Sequence, residues 1–423
     1  MSLHTHGRIL RAVCLAALIV IPTAAAAAQP ANDPAREEAL RVFLDCHSCD
    51  FDYLRREIPF VNYVRDRKDA ELHILVTTQF TGSGGVEYTF RFIGLGRFEH
   101  IDDELKYTAA QTLTGDERRR GYTEVLKLGL VRYVTSTNAA DRLRLVYRPE
   151  NTKSAMPQPA DPWNFWSFRV RGNGGVNGEA SSKSHNLAAS TIANRTTENW
   201  KINISNFLNF HTNEFKLSSG EKLRDDSHDH SLGGLVVKSL GDHWSLAGRG
   251  RIASTTFLNQ DRAYRTAGGI EYSFFPYKES SRRELTMQFT TGVNHFKYLE
   301  TTIYGKDSET VADGTLVGAL DVRQPWGSSG LSIEAATYYH DLERHRFVLN
   351  GDIDVRLFKG FSLTLDGSVS RIHDQLYLRA GAASDEEILL RRRQLATNYR
   401  YRFSVGASYT FGSIFNNIVN TRF

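Results

Sequence analysis

From Tyr399 to Phe411 the chain alternates without interruption. Tyr399, Tyr401, Phe403, Val405, Ala407, Tyr409 and Phe411 fall on one face, and Arg400, Arg402, Ser404, Gly406, Ser408 and Thr410 on the other. Side chains of a β-strand point to opposite faces in turn, so this is a strand with one apolar and one wet side. A strand in a soluble sandwich is usually about half as long. Aromatic residues at both ends of an apolar face suit a strand that crosses a bilayer from one interface to the other.

Twelve such segments occupy the second half of the chain, near 165–179, 185–197, 200–213, 228–239, 243–257, 262–275, 283–297, 312–324, 330–341, 345–357, 361–374 and 398–411. The apolar face is clean in eight of them, for example Leu285, Met287, Phe289 and Val293; the second and fourth segments match less well. Prolines in this half occur only at Pro276 and Pro325, both between segments. Strands hydrogen-bonded on both sides cannot accept proline. Short connections (197–199, 240–242, 358–360) alternate with longer polar ones (near 214–227, 298–311 and 375–397). The pattern predicts an all-β transmembrane barrel of about 12 antiparallel strands over residues 164–423, with the short turns, the preceding segment and the C-terminus on the periplasmic side. A soluble sandwich is the competing reading, and it predicts no such alternation of loop length.

Residues 37–150 follow different rules. Val42–Asp45 reads as a short strand, and 50–67 as a helix carrying Leu54, Ile58, Val61 and Val64, interrupted by Pro59. Leu72–Thr78 and Val86–Gly94 read as a hairpin across Gly82-Ser83-Gly84-Gly85. Thr114 and Glu117 form a capping box that opens a helix to about Tyr133, with Tyr122, Val125, Leu126 and Leu130 facing a core; Leu143–Tyr147 is a candidate further strand. The expectation is a small α+β periplasmic domain, followed by a Pro-rich linker at 151–163 with Pro157, Pro159 and Pro162.

Residues 1–28 have Arg8 and Arg11 before an apolar run and an alanine string, the pattern of a cleavable export signal. No other stretch approaches the roughly 20 apolar residues of a membrane helix. Net charge is +4 with acidic and basic residues mixed, which gives no sign of nucleic-acid binding. Loss of Cys14 with the signal leaves Cys46 and Cys49, in a compartment that permits disulfides.

The run VFLDCHSCDFDYLRREIPFVNYVRDRKDAELHILVTTQ, the following TGSGG and the closing SYTFGSIFNNIVNTRF resemble a group of uncharacterised bacterial outer-membrane barrel proteins with an N-terminal periplasmic domain. The resemblance implies fold and location and carries no activity. The terminal Phe423, with Phe411 closing the last strand, resembles the C-terminal assembly signal of such barrels, although Thr421 and Asn417 stand where that signal has apolar residues. Partners implied are outer-membrane lipid, the barrel-assembly machinery and a periplasmic protein.

Three motifs bear on chemistry. Cys46-His47-Ser48-Cys49 lies where a strand meets a helix, as a thioredoxin-like dithiol does, yet no proline between Pro59 and Pro149 supplies the cis-proline such sites use. A structural disulfide, a redox pair and half of a metal site remain open. Ser227-His228-Asp229-His230-Ser231 suggests a hydrolase or metal site but lacks the His-x-Ser spacing of outer-membrane phospholipases, and reads better as a polar loop entering a strand. Gly82-Ser83-Gly84-Gly85 is a turn, with no following lysine to make it a phosphate loop. No catalytic constellation, cofactor motif or metal set is recognised.

The inward positions say more. Arg169, Arg171, Lys201, Arg249, Arg251, Arg265, Arg400 and Arg402 lie on the first, third, fifth, sixth and twelfth segments. Glu284, Asp321, Glu334, Asp352, Asp354 and Asp366 lie on the seventh to eleventh, with Arg323 and Arg356 as minority cations and Glu271 at the boundary. Closure would set a basic wall against an acidic one, as in a narrow porin-like channel for small polar or anionic solutes. The alternative is a plugged, non-conducting barrel that anchors the periplasmic domain for envelope assembly, secretion or thiol exchange.

Overall fold

The structure is a computed structural model that describes residues 39–144, 146, 161–216, 219–381, 394–415 and 417. The export signal, most of the 151–163 linker and Phe423 lie outside the described residues.

The N-terminal domain is built from β1 (Arg41–Asp45), α1 (Phe51–Glu57), β2 (Asn62–Tyr63), β3 (Leu72–Phe80), β4 (Val86–Gly94), β5 (Asp102–Ala109) and α2 (Gly115–Val134). Its sheet runs β2-β1-β3-β4-β5, with β1 parallel to both neighbours and the other pairs antiparallel. The helix read over 50–67 ends at Glu57, because Pro59 cannot continue it. Beyond it Asn62 and Tyr63 pair with β1 instead. The strand β5 is absent from the sequence reading; its DDELKYTA alternation is half-exposed and carries few apolar residues. Leu143 and Arg144 join no strand.

The two faces of this sheet differ. Val42, Leu44, Leu72, Ile74, Val76, Phe90 and Phe92 point to the helices and meet Leu54, Leu126, Leu130 and Tyr133 in one core. Tyr133 stacks on Phe92, takes Phe98 edge-on and donates its hydroxyl to the Ile101 carbonyl at 2.9 Å. Thr114 and Glu117 close the capping box at the start of α2. Phe43, Asp45, His73, Leu75 and Thr77 alternate with the core residues and occupy the other face. They are buried too, although no helix of the domain covers them.

The second unit is one antiparallel meander: β6 (Trp166–Gly178), β7 (Ser182–Thr196), β8 (Trp200–Lys216), β9 (Lys222–Ser239), β10 (Trp244–Thr255), β11 (Gln260–Ser273), β12 (Arg283–Tyr298), β13 (Ser308–Gln324), β14 (Gly327–Tyr338), β15 (Asp341–Phe358), β16 (Phe361–Ile372) and β17 (Tyr399–Tyr409). All twelve lie in chain order in a barrel-type sheet, and among the described residues no ladder joins β6 to β17. Each of the twelve coincides with a segment read from periodicity. Loop lengths follow the expectation less well. The long strands β8 and β9 absorb most of 214–227, and 179–181 and 339–340 at the far end are as short as the near-end turns.

Apolar side chains form continuous rows across the outer face. One row runs Ile270, Phe289, Leu316, Ala335, Phe347, and a second runs Ile333, Leu349, Val369, Tyr401. Aromatic residues gather at the short-turn end, where Tyr272 contacts Trp244 and Phe274, and Phe358 stacks on Phe361.

The packing of α2 gives a direct test. Gly129 lies against the Phe92 ring, so that a Cβ there would overlap it. Gly129→Ala should destabilise the domain by about 1–3 kcal/mol, despite a gain in helix propensity of about 1 kcal/mol. Protease sensitivity of the domain in detergent-solubilised protein reads the outcome; unchanged resistance would contradict this packing.

Candidate functional site in the bore and at its covered mouth

Ladder registers carried from strand to strand place Arg169, Arg171, Lys201, Arg249, Arg251, Arg265, Glu284, Asp321, Glu334, Asp352, Asp354, Asp366, Arg400 and Arg402 on one face of the sheet. That face is the inner one. Lys201, Arg249, Arg265, Glu271 and Glu284, from strands β8 to β12, line a common cavity of about 440 Å³. A second, of about 510 Å³, is lined by Arg251, Arg265, Asp229 and Asn294.

The charges do not simply neutralise one another. Arg265 pairs with Asp313, Arg346 with Glu334 at 2.8 Å and with Asp374 at 3.1 Å, and Arg402 with Asp366 at 3.2 Å. Asp313 and Arg346 escaped the sequence reading, although their inward parity was available to it. Three pairs of like charge sit directly opposite on adjacent strands: Arg251 and Arg265, Glu284 and Asp321, Asp352 and Asp366. Such juxtaposition is destabilising. Among the described residues Lys201, Arg249, Arg251, Glu284 and Asp321 have no ion pair within 4.0 Å. Cations predominate on β6 to β11 and carboxylates on β12 to β16, with Asp229 and Glu271 as exceptions in the first group and Arg323, Arg346 and Arg356 in the second. The basic wall is not continuous through β17, because Arg402 turns to the Asp366 carboxylate and, among the described residues, no ladder joins β17 to β6.

The short-turn mouth is covered by the N-terminal domain, whose helix-free sheet face rests on it. Arg356, from the bore face of β15, makes a two-pronged pair with Asp45, each Nη 2.7 Å from a carboxylate oxygen, and lies 5.3 Å from the centre of the Phe43 ring. His73 Nε2 is 3.4 Å from Asp45 Oδ2, and neither ring nitrogen has a hydrogen bond. Burial alone would raise the Asp45 pKa. The adjacent His73 ring and the Arg356 guanidinium reverse this and hold it at about 2. Burial lowers the pKa of His73 below 6.5 and outweighs the attraction of Asp45, which keeps the ring neutral.

Cys46 and Cys49 form a disulfide immediately after Asp45. Cys46 is buried, and His47 and Ser48 at the loop tip face the rim. His228 and His230 stack on one another, and among the described residues no group of three or more His, Cys, Asp or Glu converges as a metal site. Gly82 and Gly84 form a hairpin tip packed against Thr196 and Arg169. Phe411 follows β17 as an exposed residue whose carbonyl accepts from Arg65 at 3.2 Å. The chain continues past this strand, and Phe415 bridges to Val64 beside β2.

No protein-family model and no curated protein matches the sequence. Among solved structures, a NanC porin is similar at 8% identity and a TM-score of 0.27, with 58% of this chain and 100% of that chain covered. The β domain of the Bordetella autotransporter BrkA is similar at 12% identity and a TM-score of 0.25, with 58% and 98% covered. Likeness at this level adds no weight to the strand ladder itself.

Both shifts at the docked face are downward, so both act in the same direction. Above 6.5 the neutral His73 costs nothing, and below it an unfolded chain binds a proton that the folded one refuses. The Asp45 contribution is complete above 3.8 and is lost as pH falls towards about 2. That loss is worth about 2 kcal/mol. Protease resistance of the docked domain should therefore decline in two stages on acidification. Asp45→Asn should abolish the lower stage and His73→Gln the upper; a flat profile through the upper range would refute the role given to His73.

Proposed function

We propose that the chain is an integral outer-membrane β-barrel acting as a narrow, porin-like channel for small polar or anionic solutes, with the N-terminal domain and the segment after β17 on the periplasmic side. The outer rows of Phe, Leu and Ile support a lipid-facing surface, since soluble monomers rarely expose apolar patches larger than a few hundred Å². No helix among the described residues is long and apolar enough to cross a membrane. The span would be made by strands.

The observation that carries the channel reading is the set of opposed like charges along the bore. A packed, dry lumen would select neutral or complementary neighbours, because a buried unpaired charge is costly. Water and mobile counter-ions remove that cost. Lys201, Arg249 and Arg251 are then free to attract anions along one wall, while Glu284 and Asp321 repel them from the other. The second reading, a non-conducting anchor, draws on the domain that covers the mouth; it predicts a periplasmic partner captured by residues 37–150 and no conductance.

Heat-modifiable migration and insolubility without detergent should mark the full-length protein as a barrel. In planar bilayers it should show discrete conductance, and the double change Arg249→Glu with Arg251→Glu should shift selectivity towards cations. Silence of every variant, including those with the domain undocked by Arg356→Ala, would exclude the channel.

A further inference from the structure

The contacts between the domain and the barrel mouth are unequal on the two sides of the rim. On the β15 to β17 side they are charged and main-chain: Arg356 with Asp45, Lys359 with Asp69, and the Gly360 amide donating to Asp66 at 2.6 Å. The chain after β17 adds itself to the edge of the domain sheet. Val64 bridges Phe415, the Arg65 amide donates to the Ile414 carbonyl at 3.1 Å, and the Tyr63 amide to Asn417 at 2.6 Å.

On the opposite side, at the β3–β4 hairpin, no ion pair among the described residues joins domain and rim; the tip packs on Thr196 and Arg169, and the hydrogen bonds are few. Gln79 Nε2 donates to Ser280 at 3.0 Å, Arg323 reaches the Thr78 carbonyl at 3.5 Å, and Ser167 reaches the Gly82 carbonyl at 3.4 Å. The last two are at the limit of hydrogen-bond length and contribute little. A cavity of about 310 Å³ separates Thr77 and Thr78 from Arg323 and Gln324, and one of about 400 Å³ lies on the β15 to β17 side between Asp66 and Gly360.

We propose that residues 39–144 form a hinged cap on the channel, pivoting on the β15 to β17 rim and lifting at the hairpin rim to admit solute. The strong side keeps the domain attached through each opening. The weak side sets how readily it opens, because the hairpin surrenders a few hydrogen bonds, none of them an ion pair, that water replaces. The cap rests on the channel reading, and the test separates the two.

Two cysteine pairs are placed in the full-length protein, Gln79→Cys with Ser280→Cys at the hairpin rim, and Asp69→Cys with Lys359→Cys at the hinge. Spin labels on the hairpin pair should report a second, longer distance in addition to the docked one, whereas the hinge pair should give a single distance. A short non-cleavable thiol linker across the hairpin rim should then remove most of the bilayer conductance, and the same linker across the hinge should leave it intact. A single distance at both rims, or equal effects of the two cross-links, would overturn the cap. Movement at the hairpin rim in a protein that never conducts would retain the hinge, remove its role as a gate and sink the channel reading instead.

Discussion

The constraint on which the rest of this structure depends is the hydrogen-bonding of the main chain in a sheet whose outer face is apolar. Where lipid replaces water, an unpaired amide or carbonyl costs several kcal/mol, and only a continuous ladder avoids that cost. The meander from β6 to β17 meets the requirement between neighbouring strands and keeps both prolines of this half out of its strands; among the described residues the outer edges of β6 and β17 have no ladder between them. The period of two follows from the ladder. It sends Leu, Ile and Phe outward and turns the mid-strand Arg, Lys, Asp and Glu towards the bore.

Once the charges share a bore, their arrangement decides what the barrel can do. Pairs such as Arg346 with Glu334 fix local geometry and leave no free field. The opposed like charges at Arg251 and Arg265, or at Glu284 and Asp321, work against stability and are tolerable where water screens them. A lumen that holds both kinds has some charges locked in pairs and others left without an ion pair among the described residues.

The N-terminal domain shows the same logic at a smaller scale. Its helices cover one face of a five-stranded sheet, and the other face, with Phe43, Asp45 and His73, is sealed only by the barrel mouth. A carboxylate with that little exposure needs a partner, and the partner comes from β15 in the form of Arg356. Domain and barrel are thus tied by a charge that neither could bury alone. The disulfide closes the loop that follows Asp45 at the end of β1.

Strand number, strand position and the face of each charge were legible in the sequence, because alternation is a local property of the chain and survives in any register that buries one side. The capping box of α2 and the β3–β4 hairpin were legible for the same reason. The strand β5 was not, since its half-exposed alternation resembles a loop, and neither was the end of α1, where the pairing of Asn62 and Tyr63 with β1 overrode helical spacing. Only the tertiary structure decided which charges meet. Arg265 with Asp313 spans two ladders, and Arg356 with Asp45 joins residues 311 positions apart. Such contacts depend on curvature and on docking of one unit against another, which no local pattern encodes.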